Sequence, residues 1–200
     1  MANRRSFLTA LGAFTGVSFL PRFQPSGPTH PADAWLDDLK GQHKVVYDCT
    51  SIEHGPDGWS FARNFLTANT GPIYQLKDSD LNVIVVLRHL ATVYSFNDAM
   101  WSKYRLGDSQ KVLENGVALT KNPHVTFANE MANRGVIVAV CGMATSRISR
   151  QVASRDNGNA AEIETELKAN LVTPTARVVA AGVVGVNRAQ EKGFSYTYVG

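Results

Sequence analysis

The chain has 200 residues, of which 44% are hydrophobic and 18% are charged, as expected for one globular domain with a sizeable core. Its formal charge of +3 comes from residues 1–28, which hold three arginines and no acidic residue, so the remaining 17 basic and 17 acidic residues balance. This balance excludes the basic surface typical of a nucleic-acid-binding protein, and two cysteines are too few for a disulfide scaffold.

Residues 1–28 are predicted to be an export signal. Arg4-Arg5 precede Ser-Phe-Leu, and an apolar stretch runs over 7–20, a pattern that resembles the twin-arginine signal. An ordinary secretory signal and a basic N-terminal helix are the alternatives. The apolar stretch is short for a permanent span, and no clear small-x-small cleavage site follows it, so a cleaved signal and an uncleaved membrane anchor both stay open. We expect a periplasmic protein, with a linker over 29–42.

Beyond the linker, short β-rich runs alternate with helical patterns. The run over 82–88, NVIVVLR, is nearly all β-branched and lacks polar alternation, as expected for a parallel strand buried on both faces. The alternation predicts an α/β domain over 43–200 with a mainly parallel sheet covered on both faces. The predicted strands are 44–49, 82–87, 136–140, 176–180 and 194–199. The predicted helices are 59–69, 95–107, 124–135, 159–171 and 182–193, with an irregular excursion over 109–123.

Several motif-bearing classes of protein are excluded. No P-loop, no G-x-G-x-x-G after a strand and no G-x-S-x-G elbow is present. The five histidines and two cysteines have no zinc-site spacing. We therefore predict no cofactor and no metal.

Polar residues lie at or near the ends of three of the predicted strands, where ligands bind in an open parallel sheet. These residues are Asp48 and Cys49, then His89, then Cys141. Cys141-Gly142 stands where a strand passes to a loop or helix start, and free backbone N–H groups there favour a thiolate. The alternative for Cys141 is a small buried apolar residue. A core role is favoured for Cys49, because Asp48 beside it disfavours a thiolate, and a hydrogen-bonded strand end for His89.

Two segments carry a resemblance to a known family. RGVIVAVCGMAT (134–145) and ARVVAAGVVGVNRAQEKGFSYTYVG (176–200) are similar to the DsrE/DsrF-like sulfur-relay superfamily, in which a strand often ends in Cys-Gly. VVYDCTS and ARNFLTAN resemble the first strand and the first helix of that family, which places Asn64 at its helix asparagine. VVLRHLAT resembles the end of its second strand, although Leu90 stands where relatives often have glycine.

This resemblance implies a three-layer α/β/α sandwich around a five-stranded, mainly parallel sheet. It implies that Cys141 is catalytic and accepts sulfur as a persulfide. The residues expected to bind ligand are His89, Asn64 and Cys49. The implied partners are further copies of the chain and a sulfur donor or acceptor protein. No nucleic acid is expected, and no stable membrane span unless the signal stays uncleaved.

Three functions stay open from the sequence. In the first, the exported protein carries or transfers sulfur on Cys141. In the second, it is a non-enzymatic module that binds a small ligand or only assembles into oligomers. In the third, Cys49 and Cys141 lie at the same edge of the sheet and form a reversible disulfide. No conventional metabolic enzyme class is supported.

Overall fold

The computed structural model describes residues 29–200, so the predicted export signal lies outside the described residues. Seven strands and seven α-helices follow one another in this part of the chain. The strands are β1 (His43–Cys49), β2 (Leu81–Leu87), β3 (Leu113–Glu114), β4 (Val117–Ala118), β5 (Ile137–Cys141), β6 (Arg177–Val179) and β7 (Ser195–Val199). The helices are α1 (Asp57–Thr70), α2 (Asp98–Lys103), α3 (Leu106–Gln110), α4 (Val125–Asn133), α5 (Gly142–Asp156), α6 (Ala160–Ala169) and α7 (Gly182–Glu191).

Five of these strands form one sheet in the order β6-β5-β2-β1-β7, and every neighbouring pair is parallel. The predicted α/β fold and its five strands are confirmed. Because all five strands run in one direction, their carboxyl ends meet at one edge. At this edge Cys49 pairs with Leu87, and Leu87 pairs with Val140.

The sheet is covered on both faces, which makes the fold a three-layer sandwich. On one face α1, α4 and α5 pack over a core that includes Trp59 and Ile148. On the other face α7 packs over a smaller core that includes Val46 and Ile84. Strand residues alternate between the two cores, as the period of two requires.

The segment predicted as a linker is partly folded. Pro31–Asp38 forms a 3-10 helix, and its Leu36 is buried in the core beneath α7. The Lys192 Nζ donates to Asp37 Oδ1 at 2.5 Å, which ties this helix to the end of α7. Because Leu36 is buried there, Pro31–Asp38 belongs to the layer that covers the α7 face of the sheet and is not an extended connection.

The region over 95–123 also differs from its prediction. Instead of one helix that begins at Ser95, a 3-10 helix covers Ala91–Ser95 and Ser95 is fully buried. Helix α2 begins after Asn97, whose side chain accepts from the Met100 N–H at 3.2 Å. Arg105 has a φ of 44° and separates α2 from α3. The predicted irregular excursion contains the small antiparallel hairpin of β3 and β4.

Among the helices of residues 29–200, none combines the length and the apolar character that crossing a membrane requires.

Candidate functional site

Cys141 stands at the junction of β5 and α5. The helix begins at the next residue, and the Cys141 Sγ accepts a hydrogen bond from the Ala144 N–H at 3.4 Å. The thiol therefore caps one of the N–H groups that a helix start leaves without a backbone partner. Gly142 makes the junction possible, because a Cβ at this position would lie 2.8 Å from the carbonyl oxygen of Val179 on β6.

Cys141 lines a cavity of about 260 Å³ at the carboxyl edge of the sheet. Cys141 itself is only 7% exposed, whereas Met143 and Val183 at the cavity wall are 69% and 58% exposed. A thiol at this position is recessed and is reached through the cavity. The other lining residues are the cationic or titratable Arg88, His89 and Arg147 and the small Ala144, Ala181 and Gly182.

Arg88 is held by a buried carboxylate. Its Nε and Nη2 donate to the two oxygens of Asp48 at 2.6 and 2.9 Å, and the Tyr196 hydroxyl donates to the same carboxylate at 3.0 Å. Asp48 is 2% exposed. Its hydrogen bonds raise the pKa of the Arg88 guanidinium. Arg88 therefore stays charged at the cavity, with that charge balanced by Asp48.

Arg147 also lines the cavity and has a different set of partners. Its guanidinium donates to Gln151 Oε1 at 3.0 Å, to the His89 carbonyl oxygen at 3.3 Å and to Gln110 Oε1 at 3.4 Å. Within residues 29–200, no carboxylate lies within ion-pair distance of it. Burial lowers the pKa of the Arg147 guanidinium. Arg147 is therefore a partly buried cation held by neutral groups.

The start of α7 forms the remaining wall of the cavity. Its N-cap residue, Ala181, has no side chain that can accept from the helix N–H groups. Gly182 lets this helix start approach the strand edge closely, because a Cβ there would lie 2.4 Å from the Cβ of Arg88. Two helix starts, those of α5 and α7, thus border the same cavity.

Of the residues predicted as ligand-binding, the structure brings only His89 to Cys141. His89 is exposed, lines the cavity and has a φ of 55° at the end of β2. Asn64 is exposed in the middle of α1 and does not line the cavity.

Cys49 lies in the core beneath α1 and is fully buried. A Cβ at Gly58 would lie 2.4 Å from its Sγ, so α1 rests directly on this thiol. Burial, and then the nearby Asp48 carboxylate, raise the pKa of the Cys49 thiol well above its ordinary value. These surroundings keep Cys49 protonated and away from the cavity.

The two cysteines share one edge of the sheet, as predicted, but they cannot pair directly. Strand β2 lies between β1 and β5, so their Cα atoms are about 10 Å apart, beyond the reach of a disulfide. Cys49 faces the α1 core, whereas Cys141 continues the alternation of Ile137 and Ala139 toward α7. A reversible disulfide between them is therefore excluded in this fold.

Sequence reasoning missed Arg88 and the start of α7 as parts of the site. The signal for Arg88 was present, because Asp48 lies near the end of β1, Arg88 directly follows β2, and these two strands are neighbours. An acidic and a basic residue at the ends of adjacent strands can form a pair at the site edge.

Comparison of the chain with known protein families and with curated proteins finds no matching family model and no matching protein.

Proposed function

We propose that the protein carries sulfur as a persulfide on Cys141. In the loading step the Cys141 thiolate attacks the outer sulfur of a donor persulfide. A new S–S bond forms at Cys141, the S–S bond of the donor breaks, and the donor leaves as a thiolate. No external oxidant or reductant is needed. Transfer to an acceptor thiol is the same exchange with the protein as donor.

The position of Cys141 at the start of α5 carries this proposal. The Ala144 N–H donates to its sulfur, and the positive end of the helix dipole lies beside it. Both favour an anionic sulfur, first as the attacking thiolate and then as the persulfide. A thiol that only filled space in the core would need neither the cavity nor the nearby cations.

Export and partners complete the proposal. The Arg4-Arg5 pattern supports action in the periplasm, away from cytosolic sulfur donors. The resemblance of 134–145 and 176–200 to sulfur-relay proteins supports a sulfur donor or acceptor protein and assembly with further copies of the chain.

The test is sulfur loading of the purified full chain, followed by intact mass spectrometry. Cysteamine persulfide is a suitable probe because it carries sulfane sulfur without a carboxylate or any other oxyanion. We expect the wild type and Cys49→Ala to gain the mass of one sulfur atom, removable by dithiothreitol, and Cys141→Ser to gain none. The serine hydroxyl keeps the helix cap, so Cys141→Ser tests the sulfur and leaves the fold intact.

Two results would overturn the proposal. One is a wild-type protein that takes up no sulfur, which would favour the non-enzymatic binding or assembly module. The other is equal uptake by the wild type and a folded Cys141→Ser, which would place the sulfur elsewhere. Circular dichroism spectra establish that the variants compared are folded.

A further inference from the structure

We propose that the sulfur donor used by this site is a small oxyanion that carries a sulfane sulfur, with thiosulfate as the simplest member of the class. This inference rests on the proposed persulfide chemistry at Cys141, and it names the substrate class of the same site. It is carried by the balance of charges around the cavity and by the cavity's size.

The cavity has an excess of positive charge. Arg88 and Arg147 line it, and no carboxylate is among its lining residues. The charge of Arg88 is offset by Asp48, which accepts from both its Nε and Nη2. Of these two arginines, Arg147 has no carboxylate within residues 29–200 at ion-pair distance.

The surroundings of Arg147 suit an anion that is not part of the chain. Its guanidinium is partly buried and is oriented by the amide oxygens of Gln110 and Gln151 and by the carbonyl oxygen of His89. A desolvated cation with only neutral acceptors is costly, and an oxyanion would offset that cost. The planar guanidinium also matches two oxygens of one group, which gives the bound anion a fixed orientation.

The start of α7 adds a second contribution to anion binding. Its first N–H groups have no backbone partner within the helix, and Ala181 provides no side-chain cap. The close approach permitted by Gly182 brings this helix start to the cavity wall beside Arg88. An oxyanion between Arg147 and α7 would therefore meet a guanidinium and the positive end of a helix dipole.

The size of the cavity favours a small donor. Its volume of about 260 Å³ lies below the roughly 300–1,000 Å³ of pockets for larger ligands. With the oxygens held by Arg147, the sulfane sulfur is the part of the anion left to face Cys141. The thiolate attacks that sulfur, the S–S bond of thiosulfate breaks, and sulfite leaves with its electron pair. The reactants, a thiolate and thiosulfate, and the products, a persulfide anion and sulfite, carry the same total charge.

The experiment compares two donors on three full-length proteins. Wild type, Arg147→Gln and Arg150→Gln are each titrated with thiosulfate and, separately, with cysteamine persulfide. Loading is followed by intact mass, and with thiosulfate also by released sulfite. Arg150 is the matched control, because it is an exposed arginine on the same helix that does not line the cavity.

We expect thiosulfate to load the wild type and to release one sulfite for each sulfur bound. For Arg147→Gln, the second-order rate constant with thiosulfate falls at least about tenfold more than that with cysteamine persulfide, since one charge-assisted contact to the donor is lost. Arg147→Lys restores part of the difference, and Arg150→Gln shows none. Sulfate inhibits loading by thiosulfate more strongly than loading by cysteamine persulfide, since, of the two donors, only thiosulfate competes for the oxyanion position.

The failures are distinguishable. If cysteamine persulfide loads Cys141 and thiosulfate does not, the donor class is wrong and the proposed function stands. If neither donor loads the wild type, the proposed function fails, and this inference fails with it. An equal loss with both donors in Arg147→Gln, or an equal loss in Arg150→Gln, would mean that Arg147 does not recognise the oxyanion, and the inference would be overturned.

Discussion

Cys49 and Cys141 end two strands of the same sheet, yet their surroundings differ in every respect that governs a thiol. Cys49 is fully buried beneath α1, where α1 approaches so closely that only glycine fits at position 58. Cys141 receives the Ala144 N–H and faces a cavity with two arginines. The carboxyl end of a parallel strand therefore does not by itself make a residue functional.

Two local features produce the difference. The first is the face of the sheet, because Cys49 points into the larger core and Cys141 toward the thinner α7 layer. The second is the length of the connection from the strand to the next helix. Seven residues separate Cys49 from the start of α1, whereas α5 begins directly after Cys141. Only the second cysteine can therefore cap a helix with its own side chain.

The largest expected effect of this difference is on reactivity. In the native protein at pH 7.5 we expect iodoacetamide to alkylate Cys141 at least about 100-fold faster than Cys49, since Cys49 lacks both access and thiolate character. Peptide mass spectrometry after timed quenching gives both rates from one sample. Alkylation of Cys141 only after denaturation would make it a core residue and would end the sulfur-carrier proposal.

The next effect is on stability, and serine at each position measures it. Cys49→Ser buries a hydroxyl in the core, where the Tyr47 carbonyl oxygen that accepts from the thiol is 4.0 Å from the sulfur. We expect a loss of about 1–3 kcal/mol in the free energy of unfolding. In Cys141→Ser, the serine hydroxyl takes over from the thiol as the acceptor of the Ala144 N–H. The free energy of unfolding should therefore fall by no more than about 0.5 kcal/mol. Urea denaturation under reducing conditions measures both losses. Equal losses in the two variants would contradict the expected difference between the surroundings of Cys49 and Cys141.

The sequence predicted the sheet well because its signals are local. A nearly unbroken β-branched run such as 82–87 suits one environment, a parallel strand buried on both faces. It predicted the helix boundaries less well where tertiary contacts compete. Ser95 has the residue type of a helix cap, but its burial and the hydrogen bond from the Val172 N–H to its carbonyl oxygen move the helix start to Asn97.

The candidate site was predictable only in part. Cys141 and His89 could be placed at the sheet edge from strand ends alone, since parallel strands align their carboxyl ends. The order of the strands could not be derived from the run of residues, and it is this order that separates Cys49 from Cys141 and pairs Asp48 with Arg88. Arg147 reaches the cavity because it lies on α5, which begins at Gly142. This helix start requires glycine, because β6 passes too close to position 142 for a Cβ, and the sequence alone does not reveal that contact.

The smallest expected effect is on the pH dependence of the free energy of unfolding, to which the Cys49 thiol makes a contribution of its own. The pKa of the Cys49 thiol is raised in the native state, whereas in the unfolded chain it returns to its ordinary value near 9. Below pH 9 both states hold the proton, and the contribution to stability is complete. Above it the unfolded chain releases the proton first, so the free energy of unfolding falls by about 1.4 kcal/mol for each further pH unit. Buried tyrosines shift in the same direction, since burial raises the pKa of Tyr47 and of Tyr94 to about 12.

The difference between wild type and Cys49→Ala isolates the thiol, because both proteins keep Cys141 and the same tyrosines. Between pH 8 and pH 10 we expect the wild type to lose about 1.4 kcal/mol more than Cys49→Ala, measured by urea denaturation under reducing conditions at each pH. Parallel losses in the two proteins would show that Cys49 titrates in the folded state much as it does in the unfolded chain. The core beneath α1 would then be open enough for a thiolate, and burial would no longer distinguish the two cysteines.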